Sequence, residues 1–467
     1  MVDEAQSGVV GGIMTEPAHV KPQVSAQLFC RYSQSVEHPV HAPAPPAPST
    51  TSRLRGIEGM RALAASSIVL VHVWGFSSPD GEALGSERWI GDAISTLSVG
   101  VTLFFTLSAF LLYRPFAAAI ARGGERMSFL AYLRNRALRI APAYWAILFV
   151  CSILIGTVYL RNGAVLEVGR LTDPFAFLQT GLLFQNYRPT TLGIGIGPAW
   201  SLAVELVFYL ALPLLVIGAG LVARRARDRR GRVLALLGPP LLLLVVGLVG
   251  KLIAGQVFPA APTAGYGNNW HSVVERSFFA QADLFTFGMI VAVAYVEVAD
   301  GRLRLPAGWR TAAAVLGLLI FIPCAWTMNQ GEHSYLLQNT GQALGLALIF
   351  AAIVLPAAAG APASGAVRFL ETPALVATGV VSYSIFLWHL PVIVWLSAHG
   401  LTFGGWGGLL VNVLIVGVVV GALSALSYRF VERPALRHKH SMRVPEQTAK
   451  AADGQRVAPA PATEPAI

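Results

Sequence analysis

The chain has few charged residues for its length. Asp, Glu, Lys and Arg together make up 12% of the 467 residues, whereas soluble domains carry roughly a quarter. Hydrophobic residues make up 55%, and they form runs of roughly 17 to 25 residues, the length needed to cross a hydrocarbon core of about 30 Å. So few charges cannot cover the surface of a soluble fold of this size. The sequence therefore predicts an integral membrane protein.

Cysteine is also scarce, and the net charge is positive. The three cysteines, Cys30, Cys151 and Cys324, are too scattered for a disulfide framework or a zinc site. We expect no metal and no permanently bound cofactor. The net charge of +10 comes largely from Arg residues beside apolar runs, the pattern of cytoplasmic loops in membrane proteins. Nucleic acid is therefore excluded as a partner.

The chain divides into a membrane region and two tails. Residues 1–52 are rich in Pro and Ala and contain no apolar run long enough for a signal peptide, so they are predicted to be a disordered cytoplasmic tail. Residues 438–467 have the same character. Residues 53–437 are predicted to be an all-α, polytopic domain of about ten transmembrane helices. These are placed near 60–77, 97–117, 142–160, 198–222, 233–254, 278–298, 311–327, 340–358, 374–398 and 407–430.

The loop charges predict the orientation. Basic residues recur in alternate loops, and the loop after the first helix is acidic, with Asp80, Glu82, Glu87 and Asp92. Under the positive-inside rule this alternation places both termini in the cytoplasm of a multi-pass cell-membrane protein.

Arg61 and His72 stand out in the first apolar segment. They are eleven residues apart, which is about three helical turns or roughly 16 Å along one face. An ionisable side chain inside a spanning helix costs roughly 2.5–3.5 kcal/mol, so each is a candidate functional residue. The alternative is a snorkelling Arg and a His bonded to a neighbouring helix.

Glu205 is the corresponding candidate in the fourth helix. Ser201, Glu205 and Tyr209 recur at intervals of four and share one face. Glu205 and His72 come to comparable depths, so we expect a pair in which the carboxylate orients a His general base. A buried pair with a structural role is the alternative.

The ninth helix carries Tyr383 and His389, and His389 precedes Pro391. A kink at this proline frees backbone groups to face a cavity. For His389 we favour a structural role over a catalytic one. Trp200 fits an aromatic belt at the outer boundary or the mouth of the cavity.

Arginines gather at the predicted cytoplasmic side: Arg61, Arg114, Arg134, Arg136 and Arg139. The guanidinium fork matches the oxygens of a phosphate, so this cluster is a candidate phosphate site. A topology signal or contact with anionic lipid explains any one of them equally well.

The ordered set of motifs resembles the acyltransferase-3 family of bacterial membrane O-acyltransferases, which modify cell-envelope polysaccharides, glycolipids and some antibiotics. The matching features are Arg61 and His72, the segment VGVTLFFTLSAFLLYRPF, the RALR pair Arg136 and Arg139, PAWSLAVELVFYLALP, VSYSIFLWHLPV and the exit RFVERP. They span roughly residues 53–437. Relatives often have a Gly within the segment that reads LSAF here, and a Ser within the segment that reads WSLAVE here.

The resemblance implies an acyl-CoA co-substrate, acetyl-CoA or another short chain, that approaches from the cytoplasm. It implies a hydroxyl acceptor on a glycan or glycolipid at the outer half of the membrane. It points to His72 and Arg61 as essential, with the RALR pair binding the donor. Many relatives carry a fused extracytoplasmic hydrolase-like domain that is not apparent here. We therefore expect the membrane unit to deliver the acyl group directly or to a separate protein.

Two other classes of protein remain open on sequence alone. A transporter or flippase for a lipid-linked sugar would use the same His, Glu and Arg residues as a proton relay and substrate path, but no inverted repeat is apparent. A membrane scaffold leaves the buried ionisable residues unexplained. Acyl transfer from acyl-CoA by purified protein separates the enzyme from both.

Overall fold

The computed structural model describes residues 54–77, 88–123, 127–163, 165–257, 267–328 and 335–440. The predicted tail 1–52 lies outside the described residues. Of the predicted tail 438–467, only residues 438–440 are described.

Ten helices of 17 residues or more occur in the described ranges. In chain order, and labelled α1 to α10, they are Ile57–Ser77, Gly100–Arg122, Phe129–Phe149, Trp200–Arg225, Arg229–Val257, Asp283–Ala299, Trp309–Met328, Tyr335–Ala358, Ser382–Ala398 and Gly405–Ser427. Each overlaps one of the ten predicted segments. The all-α, polytopic fold class is confirmed.

Most of these helices are long and apolar enough to cross a membrane. Eight spans in the described residues meet that condition by themselves. The short helix Pro373–Val380 and α9 meet the condition together, but they meet at an angle of 74°. Helix α6 has 17 residues and is the shortest of the ten together with α9. The protein is therefore a multi-pass membrane protein.

The third helix differs from its predicted bounds. Predicted at 142–160, α3 instead begins at Phe129, where the Ser128 side chain accepts a hydrogen bond from the Ala131 amide at 3.2 Å. Its charged first half extends beyond the apolar run, which hydropathy alone cannot detect. Residues 150–155 continue as a π-helical turn. The arginines predicted to precede this helix therefore lie on it.

A β-hairpin also departs from the prediction. Strands Val158–Asn162 and Val165–Gly169 pair antiparallel, with Val158 opposite Gly169. The first strand occupies what was predicted to be the end of a helix, and β-branched and aromatic residues such as Tyr159 favour extended structure there.

Small residues allow the helices that carry the site to approach closely. Gly288 of α6 lies against the carbonyl of Thr106 on α2, and Gly379 lies against the carbonyl of Glu58 on α1. A Cβ at either position would clash with backbone. Such contacts are typical of membrane helices, where packing replaces the hydrophobic effect as the force between helices. Helix α1 packs between α2, α9 and α10, so its polar residues face other helices.

Candidate active site

Two polar cavities lie between α1, α2, α4 and α9. The first, called here the arginine cavity, has a volume of about 110 Å³. Its polar lining consists of Arg61, Ser108, Arg136, Arg139, Ser201, Glu205, Tyr209 and Tyr383. Five helices contribute these side chains, so the cavity forms only in the folded bundle.

Arg139 is held in the arginine cavity by a buried carboxylate. Its Nη1 donates to Oε2 of Glu432 at 3.3 Å, and Ser384 donates to the other carboxylate oxygen at 2.6 Å. The guanidinium lies 5.7 Å from the centre of the Tyr383 ring. Among the described residues, Nη2 of Arg139 and Nε of Arg136 are buried without a hydrogen-bond partner. These N–H groups are available to an anionic ligand.

Glu205 is bonded to a neighbouring helix. Ser108 of α2 donates a hydrogen bond to Oε1 of Glu205. Tyr209, one turn further along α4, lines the same cavity. The carboxylate is therefore fixed in the wall of the arginine cavity.

The second cavity, called here the histidine cavity, has a volume of about 290 Å³. Its polar lining consists of His72, Ser98, Thr102, Trp200, Glu275, Arg276, Gln281 and Asn339. Val101 and Phe386 line both cavities. These two apolar side chains therefore separate the arginine cavity from the histidine cavity.

The hydrogen bonds of two imidazoles determine their tautomers. Nδ1 of His72 lies 2.8 Å from the carbonyl oxygen of Ile68, and Nδ1 of His389 lies 3.2 Å from that of Ile385. A carbonyl oxygen can only accept, so Nδ1 carries the hydrogen in each ring. The lone pair is then on Nε2, which makes Nε2 of His72 the atom able to act as base or nucleophile.

Trp200 forms part of an ordered pair at the histidine cavity. The Arg276 guanidinium lies 4.3 Å from the centre of the Trp200 ring, a cation–π contact. The Asn186 side chain donates to the carbonyls of Trp200 and Arg276, at 2.8 and 3.0 Å. One buried amide thus fixes both backbones.

The structure brings most of the predicted site residues together. Arg61, Arg136, Arg139, Ser201, Glu205, Tyr209 and Tyr383 line the arginine cavity. His72 and Trp200 line the histidine cavity. His389 is fully buried beside His72, with ring centroids 4.9 Å apart.

Two predicted donor residues lie apart from both cavities. Arg114 packs against Tyr295 and Phe110, at 5.3 and 5.8 Å from the ring centres. Arg134 is exposed on α3. It is two residues from Arg136, and residues two apart do not share a helix face.

The predicted pair of His72 and Glu205 is not formed in the structure. Glu205 accepts from Ser108 in one cavity, whereas His72 lines the other and donates to Ile68. Residue counting gave each side chain a depth in the membrane but not the rotation of its helix. The rotation of α1 turns His72 toward α9 instead.

Two lining residues, Ser108 and Arg276, and the partner of Arg139, Glu432, were not predicted from the sequence. A carboxylate within the quoted RFVERP segment was a usable signal for Glu432, which the structure buries to 2% exposure. Lys439 lies beyond the membrane spans. Desolvation at the rim, then the positive charges of Arg136, Arg139 and Arg61, lower the pKa of Lys439 to about 8.

The fold and these cavities define an integral membrane protein with an enclosed, polar, multi-helix site of the kind that enzymes use. The chain belongs to the acyltransferase-3 family, since the family model described as an acyltransferase domain matches residues 54–429. Residues 54–429 are therefore an acyltransferase domain of this family, built from membrane-spanning helices.

Curated relatives agree with this assignment. The chain is 24% identical over 393 residues to O-acetyltransferase OatA of Staphylococcus aureus, and the match covers 82% of this chain and 57% of OatA. It is 26% identical over 402 residues to Nodulation protein 10 of Rhizobium leguminosarum, covering 82% of this chain and 93% of that protein. The chain thus spans little more than half the length of OatA. No solved structure matches the chain significantly.

Proposed function

We propose that the protein is a cell-membrane O-acyltransferase that moves an acetyl or other short acyl group from cytoplasmic acyl-CoA to a hydroxyl of a cell-envelope glycan or glycolipid. The observation that carries this proposal is the arrangement of the two cavities in series. Guanidinium groups line the first, and the imidazole of His72, whose Nδ1 carries the hydrogen, lines the second. The cavities meet at Val101 and Phe386.

The arginine cavity suits the donor. Arg136 and Arg139 have N–H groups that find no partner among the described residues, and such groups bind phosphate oxygens with bidentate geometry. In this arrangement the phosphates stay beside Arg136 and Arg139, while the pantetheine arm extends past Arg61 toward Phe386.

The histidine cavity suits the acceptor. Trp200 offers an aromatic face, and the polar side chains around it, among them Gln281 and Asn339, match a hydroxylated ring. His72 then meets both substrates where the cavities join, at the level of Phe386.

His72 carries the proton transfer in this proposal. Its Nε2 takes the proton from the acceptor hydroxyl as the oxygen attacks the thioester carbonyl, and the C–S bond breaks. The proton then passes from His72 to the departing CoA thiolate, so the products are an ester and CoA. In the two-step alternative, Nε2 is itself acylated and then passes the acyl group on. The acceptor is reached directly or through a separate extracytoplasmic protein.

Glu205 has a different role from the one expected from the sequence. Because Ser108 holds it in the arginine cavity, it does not orient His72. A carboxylate at this position accepts hydrogen bonds from amide N–H groups, and the pantetheine arm carries two of these. We infer that Glu205 aligns the arm so that the thioester reaches Phe386 and His72.

The names of the relatives support the reaction class. OatA is an O-acetyltransferase, which matches a short acyl group and an oxygen acceptor. Its match leaves much of its own length uncovered, so the acceptor is better tested directly. Envelope glycolipids and glycans of a deletion strain should lack one acyl mass increment, and the wild-type gene should restore it.

Three arginine variants on α3 test the donor site. In nanodiscs, Arg136→Ala and Arg139→Ala should raise the Michaelis constant for acetyl-CoA and leave kcat nearly unchanged, because phosphate contacts persist from ground state to transition state. Arg134→Ala, which removes an exposed arginine of the same helix, is the control and should have no effect. An unchanged constant in both cavity variants would remove the arginine pair from the donor site.

The orientation has its own test. A cysteine introduced at Asp173, in the segment between α3 and α4, should react with an impermeant reagent added outside intact cells, whereas one at Arg227, between α4 and α5, should not. The reverse pattern would place the arginine cavity on the wrong side for cytoplasmic acyl-CoA.

A further inference from the structure

The segment that follows α10 returns to the arginine cavity. It continues as a π-helical turn, Tyr428–Glu432, and a short helix, Arg433–Leu436. Glu432, the last residue of the π-helical turn, is 2% exposed and binds both Arg139 and Ser384. This ties the start of the segment to α3 and α9 at the wall of the cavity.

A second attachment fixes the end of the same segment. The Asn135 side chain donates from Nδ2 to the His440 carbonyl at 2.8 Å, and its Oδ1 accepts from the His440 amide at 2.9 Å. The two bonds together resemble those between neighbouring β-strands and restrain both position and direction. Asn135 is 6% exposed and precedes Arg136. The chain at His440 is thus held beside the first arginine of the pair.

The bonds between Asn135 and His440 place the adjacent Lys439 beside α3, the helix that carries Arg136 and Arg139. Its side chain is exposed, yet its pKa falls to about 8, because of desolvation and the charges of Arg136, Arg139 and Arg61. Positive charges that lie close together repel one another, and such clusters are typical of sites that bind polyanions.

We propose that residues 438–440 form one side of the donor's phosphate site. Lys439 contacts a phosphate of acyl-CoA there, and Asn135 positions Lys439 through its bonds to His440. This rests on the proposed function, since the ligand is the donor of that reaction. CoA carries a diphosphate and a separate phosphate on its ribose. The RALR pair alone offers two cations, and Lys439 supplies a third.

Neither Lys439 nor Asn135 takes part in the acyl transfer itself. The phosphates lie at the mouth, remote from the thioester, and their contacts are the same before and during reaction. Losing Lys439 therefore weakens donor binding without changing kcat. Asn135 makes no contact with the donor in this proposal, so its loss acts only by releasing residues 438–440.

Binding of CoA itself to the full-length protein in nanodiscs tests this. Lys439→Gln should raise the dissociation constant for CoA about fivefold, the scale of one charge-assisted contact at an exposed site. Asn135→Ala should also raise this constant. Lys439→Arg should stay close to wild type because it keeps the charge. Arg433→Gln, which removes an exposed cation from the same segment, is the control and should bind CoA normally.

The outcomes separate this inference from the proposed function. Equal CoA affinity in wild type, Lys439→Gln and Asn135→Ala overturns the inference while leaving the reaction intact. CoA binding with the expected losses but no acyl transfer overturns the proposed reaction and supports the phosphate site. No binding of CoA to the wild type overturns both.

Anionic lipid is the other source of phosphate at this rim. The same measurements are therefore made in nanodiscs of phosphatidylcholine alone and with added phosphatidylglycerol. An effect of Lys439→Gln that appears only with phosphatidylglycerol identifies a lipid contact and overturns the assignment to the donor. A loss of equal size in both lipids supports the donor.

Discussion

The imidazole rings of His72 and His389 meet edge to face, with their centroids 4.9 Å apart and their planes inclined by 62°. Each ring donates its Nδ1 hydrogen to the carbonyl four residues earlier on its own helix. A helical carbonyl, not a carboxylate, therefore sets the tautomer of His72. This leaves Nε2 of His72 as the reactive atom, with the His389 ring in direct contact with that of His72.

His389 is accordingly expected to position His72. In His389→Phe, an aromatic ring of similar size keeps the packing against His72 but removes the imidazole nitrogens. We expect normal abundance, an unchanged Michaelis constant for acetyl-CoA and a kcat lower by about tenfold, less than the roughly 10²–10⁴-fold that an acid–base residue itself contributes. Steady-state kinetics of the purified variant measure both constants. Wild-type kcat in His389→Phe would show that the residue only fills space.

Glu205→Gln distinguishes the donor role of Glu205 from the role expected from the sequence. The amide oxygen still accepts from Ser108, but the charge is lost. If Glu205 charged and oriented His72, the variant would be as inactive as His72→Ala. The structure predicts partial activity with a higher Michaelis constant for acetyl-CoA, and Ser108→Ala should shift that constant in the same direction.

Phe386 separates the two cavities and should limit wasteful hydrolysis. Its ring centroid lies 6.1 Å from that of Phe104 and 5.9 Å from that of His389, so the partition is aromatic and apolar. Phe386→Ala opens the boundary to water from the histidine cavity. Release of CoA from acetyl-CoA in the absence of any acceptor should therefore rise, while Phe386→Leu should remain near wild type. Equal hydrolysis in all three proteins would contradict a sealing role.

The pH dependence of donor capture should report Lys439. Its pKa is lowered to about 8, so the ammonium is charged at neutral pH and is lost as the pH rises through that value. The value of kcat/KM for acetyl-CoA should fall across that interval in the wild type. Lys439→Arg should show a flatter profile, because a guanidinium stays charged. The charged or titratable groups facing Lys439 are Arg61, Arg136 and Arg139, and those on its own segment are Arg433, Arg437, His438 and His440.

The sequence was sufficient for the fold class and for most of the membrane architecture. Apolar run length located each long helix, because a span must match the thickness of the bilayer. Run length failed at α3, whose charged first half carries Arg136 and Arg139 beyond the apolar run. Run length also extended the predicted third helix into residues that form the strand Val158–Asn162.

The sequence predicted most of the residues that line the site, but not which of them contact each other. Depth along a helix placed Arg61 near Arg139, and the structure has both in one cavity. Rotation about the helix axis depends on packing of small residues such as Gly379, and sequence spacing does not contain it. His72 was therefore predicted to pair with Glu205, whereas in the structure it contacts His389. The contribution of Lys439 depends on the Asn135–His440 contact across 305 positions, which no local pattern can reveal.

Acyl transfer by purified protein in nanodiscs, with labelled acetyl-CoA and an envelope glycolipid extract as acceptor, tests the central claim most directly. We predict that the wild type transfers label to the extract and that His72→Ala does not. The variant should still bind CoA with wild-type affinity, because the phosphate site lies in the other cavity. Transfer by His72→Ala at more than a small fraction of the wild-type rate would contradict the assignment of His72 as base or acyl carrier.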